Sequence, residues 1–219
     1  QKMKKPEIQA QPPYPIRKLL DQGECDVLDF KREVSSEHKI AKTMVSFANH
    51  RGGKLLVGVN DNGTISGISP TEEKFMLEKA AGFCCKPTLE VEIHEWQVGK
   101  KTILEVDIPK GNQKPYYALG EDGKWWAYVR VGDQSLLASK VVLDVLKREG
   151  NDENTLIEYT SMERELLHYL EKHGRINLAQ YCKLLNISRR RATRILVNLI
   201  RVGVIRAHNT EKTEFYTLS

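Results

Sequence analysis

The apolar and polar positions of residues 188–203 predict an amphipathic helix that ends near Gly203. One helix face is apolar because its residues recur at i, i+3, i+4 and i+7: Ala192, Ile195, Leu196 and Leu199. The remaining surface is polar and basic: Arg190, Arg191, Arg194, Asn198 and Arg201. Ser188 precedes the helix and is a favourable N-cap residue. This pattern is typical of a recognition helix that buries one side and presents arginines to a DNA major groove.

The pattern around this helix predicts a winged helix-turn-helix over residues 159–219. Thr160 and Glu163 have the spacing of a capping box, and an apolar helical stripe follows them. Asn177 is a suitable cap for a second, short helix. Two short strand patterns, 204–208 and 214–218, come after the arginine helix. The alternative is a winged helix used for dimerisation or for contact with another protein.

The first 149 residues alternate between helical patterns and strand patterns, which predicts an α+β fold with a mixed sheet. Residues 1–13 are polar and contain three prolines, which is typical of a flexible tail. Residues 150–158 are polar and suit a linker. We therefore predict four segments, which are the tail 1–13, a first domain 14–149, the linker 150–158 and a winged helix-turn-helix domain 159–219.

Charge is distributed unevenly along the chain. The formal net charge is +5. From Tyr159 to Ser219 there are 11 Lys and Arg against 5 Asp and Glu, whereas the first 158 residues hold 23 against 24. The whole basic excess lies in the predicted winged helix, where a surface facing phosphates needs it.

These observations assign DNA contacts to the predicted second domain. We expect Arg190, Arg191, Arg194 and Asn198 to read the duplex. We expect Arg189 and Lys183 to contact phosphates. Ser188 completes this candidate DNA-binding set as the cap of the helix. A solvated basic surface helix is the simpler alternative.

Four motifs of the first part carry a resemblance to a known family: Gly23-Glu-Cys-Asp-Val-Leu-Asp-Phe-Lys31, Phe47-Ala-Asn-His-Arg-Gly-Gly-Lys-Leu-Leu-Val-Gly-Val59, Asn60-Asp-Asn-Gly63 and Tyr128-Val-Arg-Val-Gly-Asp-Gln-Ser135. Residues 15–148 resemble the AlbA-like domain of the Schlafen group, and the family's bacterial members often carry a winged helix after it. The resemblance implies a domain that senses a ligand, dimerises or adds nucleic-acid contact. With the winged helix, it implies a cytoplasmic, bacterial-type DNA-binding transcriptional regulator.

The same resemblance implies an alternative function, because some Schlafen proteins cut structured RNA with three acidic residues and a divalent metal. The family's two paired acids fall on Glu24 and Asp29, and the third position holds Asn60, followed by Asp61. The second acid is therefore one methylene shorter, and the third is an amide unless Asp61 replaces it. Two carboxylates can hold Mg²⁺ or Mn²⁺, but losing a third lowers affinity and the charge that activates water. The alternative is a metal-dependent endoribonuclease.

Three further residues of the motifs are candidates for phosphate contact: Lys31, Arg130 and Ser135. Lys31 can instead pair with Asp29, and the other two residues can instead belong to a structural loop. No Walker motif for ATP is present in the sequence.

The remaining composition limits which cofactor and which cellular compartment are expected. The four cysteines and six histidines have no metal-ligand spacing, so we expect reduced thiols and assign no metal site to them. No apolar run is long enough for a membrane span or a signal peptide. We therefore expect a cytoplasmic protein without a cofactor. Its expected partners are duplex DNA and a second copy of the chain, with structured RNA under the nuclease alternative and another protein under the interaction alternative.

Overall fold

A computed structural model describes residues 11–149, 160–210 and 213–219. The helices are α1 (Tyr14–Gln22), α2 (Glu37–Asn49), α3 (Pro70–Phe83), α4 (Lys140–Glu149), α5 (Ser161–His173), α6 (Leu178–Leu185) and α7 (Arg189–Arg201). The strands are β1 (Leu28–Lys31), β2 (Gly53–Val57), β3 (Cys85–Lys86), β4 (Glu92–Val98), β5 (Lys101–Ile108), β6 (Tyr117–Leu119), β7 (Trp125–Val131), β8 (Gln134–Leu137), β9 (Ile205–Asn209) and β10 (Glu214–Leu218). The predicted linker 150–158 and most of the predicted tail lie outside the described residues.

The first part of the chain forms two sheets. One has the strand order β1-β2-β5-β4, in which β1 runs parallel to β2 and the other neighbours are antiparallel. The second has the order β3-β6-β7-β8 and is antiparallel throughout. The predicted α+β class with a mixed sheet is confirmed.

Helix α2 packs between the two sheets and is buried along most of its length from Ile40 to Asn49. Ser36 caps it by accepting a hydrogen bond from His38 N at 3.2 Å. Met44 and Phe47 are fully buried in a core that also contains Leu55 of the first sheet and Ala118 of the second. This packing holds β7 against α2, and from β7 the Arg130 side chain reaches Asp29 of β1.

Two local predictions in the first part need correction. The turn sequence at residues 61–63 predicts that residues 64–68 form the return strand of a hairpin, but these residues form only one bridge, between Val59 and Ile65. The ladder ends there because the amides of Ser66 and Gly67 both donate to Gly58 O. Residues 110–124 are predicted as a loop, yet they contain β6, whose three residues are too few to show a strand period.

The predicted helices and hairpin of the C-terminal part are present in the order of a winged helix. The capping box of α5 forms between Thr160 and Glu163. Strands β9 and β10 pair antiparallel, and Ile176 bridges to Tyr216 of β10 as a minimal third strand. Residues 211 and 212, at the predicted turn of the hairpin, are outside the described residues.

Helix α4 packs with this C-terminal part. Val141 and Val145 are buried in the same core as Leu166 of α5 and Leu196 of α7. Ser139 Oγ accepts from Val142 N at the start of α4 and donates to Glu214 Oε1 of β10 at 2.5 Å. The sequence assigns this helix to the first domain, whereas its apolar face belongs to the core of residues 161–218.

Candidate nucleic-acid interface

The predicted basic helix forms as α7, with a wider buried surface than its sequence indicates. Ser188 accepts a hydrogen bond from Arg191 N at 3.3 Å, as an N-cap does. The four apolar residues predicted to face the core are buried. Thr193 and Val197 are buried as well, the latter to 1% exposure, on the side where α4 packs. The polar surface of α7 is therefore narrower than the sequence predicts.

A groove of about 660 Å³ runs between α4 and the first turns of α7. Its lining residues are Lys140, Asp144, Arg148, Ser188, Arg189, Arg190, Arg191, Thr193, Arg194 and Val197. Six of these carry a positive charge, and among the described residues Asp144 is the one acid that lines the groove. The structure records no ion pair for Lys140, Arg190 or Arg194 among the residues it describes. Within the described ranges, therefore, no carboxylate at ion-pair distance neutralises these three charges.

Arg148 connects the two walls of the groove. It projects from α4, and its Nη1 donates to Asn198 Oδ1 of α7 at 3.1 Å. Asn198 is half-buried, and its carbonyl oxygen is occupied by this bond. An asparagine reads adenine with both its oxygen and its nitrogen, so this bond limits Asn198 as a base-reading residue.

The structure brings together most of the residues that the sequence assigns to DNA. Arg189, Arg190, Arg191 and Arg194 are exposed and line the same groove. Lys183 is exposed on α6 and does not line the groove. Sequence reasoning missed Lys140 and Arg148. Their spacing of i and i+8 puts them on one face of a helix, but nothing local indicates that this face meets α7.

The residues of the nuclease alternative lie at the start of the first sheet. Glu24 Oε1 accepts from Phe30 N at 2.8 Å. Asp29 is buried, and its Oδ1 accepts from Arg130 Nη2 at 2.9 Å. Its Oδ2 lies 2.5 Å from Lys31 Nζ, a charge contact without the alignment of a hydrogen bond. Two cations therefore already compensate the Asp29 carboxylate.

Burial raises the pKa of the Glu24 carboxyl above its ordinary value, against the effect of the hydrogen bond from Phe30 N. Repulsion from Asp29 and Asp61 raises it further. Within the described ranges, no three His, Cys, Asp or Glu side chains are grouped so that they could hold a metal ion. With Asp29 engaged by Arg130 and Lys31, these acids do not fit a site in which three carboxylates share Mg²⁺ or Mn²⁺.

The phosphate candidates of the first domain differ in their accessibility. The Arg130 side chain is 1% exposed and also donates to the carbonyl oxygens of Cys25 and Leu28. Ser135 Oγ lies 2.8 Å from Ser46 Oγ and accepts from Arg130 Nη1 at 3.2 Å. Arg130 is therefore structural in this arrangement, because burial removes it from any ligand at the surface. Ser135 is half-buried and lines a surface groove, so its contact with phosphate stays a prediction. Lys31 remains partly exposed beside Asp29, the pairing that its sequence position also allowed.

In the part of the chain that the structure describes, no helix combines the length and the apolar character that crossing a membrane requires.

The chain is similar to several solved structures, and two of them match about two thirds of its length. The DIP2311 protein from Corynebacterium diphtheriae is 17% identical, with a TM-score of 0.45, and the match covers 63% of this chain and 28% of that protein. The N-terminal domain of a RecG-related protein from Nitrosomonas europaea is 27% identical, with a TM-score of 0.41, and the match covers 66% of this chain and 95% of that domain. The chain thus spans little more than a quarter of the first protein. No curated protein matches the chain.

Two family models match consecutive parts of the sequence. Residues 155–214 match the PCI domain, which covers the helices and most of the hairpin of the C-terminal part. Residues 24–139, more than half of the chain, match the Schlafen AlbA_2 domain, in agreement with the motifs at residues 23–31, 47–63 and 128–135. The chain belongs to the Schlafen AlbA_2 family.

Proposed function

We propose that this protein binds duplex DNA through the arginine face of α7 and regulates transcription by that binding. The observation that carries the proposal is the groove between α4 and α7, which is lined by six cationic side chains and by one acid among the described residues. Phosphates are the anions that such a surface attracts most strongly, because each neutralised phosphate releases condensed counterions. Membership in the Schlafen AlbA_2 family supports nucleic-acid binding in general.

The position of the arginines supports a duplex as the ligand. They extend over more than one turn of α7, whose opposite face is buried in the core. The wing formed by β9 and β10 lies in the same unit, as in proteins that place a helix in the major groove. We further propose a homodimer, in which the Schlafen-like part dimerises, senses a ligand or adds nucleic-acid contact. Sedimentation showing a monomer at concentrations that saturate DNA would contradict the dimer.

The test is fluorescence anisotropy of a labelled duplex over a salt series. Arg194→Ala is expected to weaken binding by roughly 1–3 kcal/mol if the guanidinium contacts a base, and to weaken binding equally for all sequences if it contacts a phosphate. Arg164→Ala is the matched control, because Arg164 is exposed on α5 and does not line the groove. Binding of the unmodified protein should fall steeply as salt rises.

Two results would contradict this function. A duplex affinity that does not change with salt would remove phosphate contact as the basis of binding. Displacement of the duplex by an equal concentration of transfer RNA would identify structured RNA as the preferred ligand.

A further inference from the structure

Helices α4 and α7 each carry a row of polar residues beside the groove. On α4 the row is Lys140, Asp144 and Arg148, all of which line the groove. On α7 it is Arg190 and Arg194, which also line the groove, followed by Asn198, which does not. Within each row the residues are four positions apart, so they lie one turn above another on one helix face. The bond between Arg148 and Asn198 joins the two rows.

From these two rows we infer that the groove holds one phosphodiester backbone of the bound nucleic acid, with Lys140 and Arg148 of α4 as contacts equal in kind to the arginines of α7. The inference rests on the proposed function and specifies how its site works. It assigns nucleic-acid contacts to a helix that directly follows the Schlafen AlbA_2 match, which ends at residue 139.

The chemistry of the walls favours a backbone over base edges. Cations dominate both sides of the groove, and Val197, the one apolar side chain among the described lining residues, is buried. Asn198, the amide on the α7 row, already uses its oxygen to hold Arg148. What remains available is a set of guanidinium and ammonium groups without a carboxylate partner among the described residues, and such groups recognise phosphate oxygens without selecting a base.

The location of α4 beside α7 gives a second reason. Because α4 buries Thr193 and Val197, that side of α7 is not free to face base pairs. Arg190 and Arg194 project next to this covered side and line the groove together with the α4 residues. A single backbone entering the groove meets cations from both helices, whereas a base pair would have to displace α4.

The experiment compares two lysines of α4 in the full chain. Lys140 lines the groove, and Lys147 is exposed on the same helix without lining it. Lys140→Ala is expected to weaken duplex binding about fivefold and to lower the slope of log affinity against log salt by about one, as the loss of one phosphate contact does. Lys147→Ala should change neither quantity. The losses should be equal on two duplexes of unrelated sequence, because a backbone contact carries no sequence information.

Arg148 requires its own control, since it also bonds to Asn198. Arg148→Ala should weaken binding about as much as Lys140→Ala, whereas Arg148→Lys keeps the positive charge and should restore most of the binding. Circular dichroism of each variant verifies that the fold is retained.

Two outcomes would overturn the inference. In the first, Lys140→Ala and Lys147→Ala bind the duplex equally well, while Arg194→Ala still weakens binding. That result would mean that α7 contacts the duplex and α4 does not. The other is a loss that differs severalfold between the two duplexes, which would make Lys140 a base-reading residue. Failure of the proposed function is distinguishable from both, because the unmodified protein would then bind no duplex in a salt-dependent manner.

Discussion

At the scale of single residues, Arg130 connects the two sheets of the first part. It lies on β7, and it donates to Asp29 of β1 and to two backbone carbonyl oxygens near that strand. Its guanidinium carbon is also 4.8 Å from the centre of the Phe47 ring, in the range of a cation–π contact. A planar side chain with five donors is suited to this position, in which several acceptors converge.

Removing Arg130 is expected to destabilise the fold strongly. Arg130→Ala leaves the buried Asp29 carboxylate with Lys31 as its remaining charge partner among the described residues, and it removes one donor from each of two backbone carbonyl oxygens. Breaking a buried pair in this way costs about 3–5 kcal/mol. Urea unfolding of the variant should show this loss, and Arg32→Ala, at an exposed position, should change the unfolding free energy by less than about 0.5 kcal/mol. Similar urea midpoints for both variants would contradict the structural role of Arg130.

The two roles that the sequence allowed for Arg130 illustrate what cannot be predicted locally. Alternation along Tyr128–Ser135 places Arg130 on one face of a strand, and the sequence does not show which face is covered. Burial by α2 and proximity to β1 arise from contacts between residues about 80 to 100 positions apart. Asp29 and Arg130 could therefore be recognised as motif residues, but their pairing required the tertiary structure.

At the scale of elements, the helix ends were predictable and the packing of α4 was not. The caps at Ser188, Thr160 and Asn177 involve residues two or three positions away, so short sequence patterns are sufficient to predict them. The apolar face of α4 is equally visible in the sequence. Whether it packs on the preceding sheets or on α7 depends on contacts about 50 residues away, which periodicity does not encode.

The groove between these elements predicts a variant that binds more tightly. Asp144 is the acid among the described lining residues, so Asp144→Asn removes the local repulsion of an approaching phosphate while preserving the size of the side chain. The gain expected from one partly exposed charge is about 0.2–1 kcal/mol, or up to about fivefold in affinity. Anisotropy at low salt would measure it, and the gain should shrink as salt screens the groove.

The control for this variant is Glu165→Gln, at an exposed position of α5 outside the groove lining. It changes the net charge by the same amount but alters the field at a distance from the proposed ligand. Equal gains from the two variants would indicate that affinity follows the net charge of the protein and not the groove.

At the scale of the whole molecule, the change in net charge and the change from one hydrophobic core to the next occur at different positions along the chain. The basic excess begins after residue 158, whereas the C-terminal core already includes Val141 and Val145. The wing is also joined to the segment before α4, because Asn209 Nδ2 donates to Leu137 O at 2.7 Å. We therefore propose that the C-terminal unit begins near residue 139, and not at 159 as composition alone predicts.

This proposal predicts that two C-terminal fragments differ in stability. A fragment of residues 139–219 retains α4, whereas a fragment of residues 159–219 exposes the surface of α7 around Thr193 and Val197. Each valine side chain that loses its burial reduces the free energy of unfolding by about 1.5–3 kcal/mol, which is a large share of the stability of so small a unit. Thermal unfolding followed by circular dichroism should give a cooperative transition for the longer fragment at a clearly higher temperature. If the two fragments unfolded at the same temperature, α4 would belong to the first domain and the domain boundary would lie after residue 149.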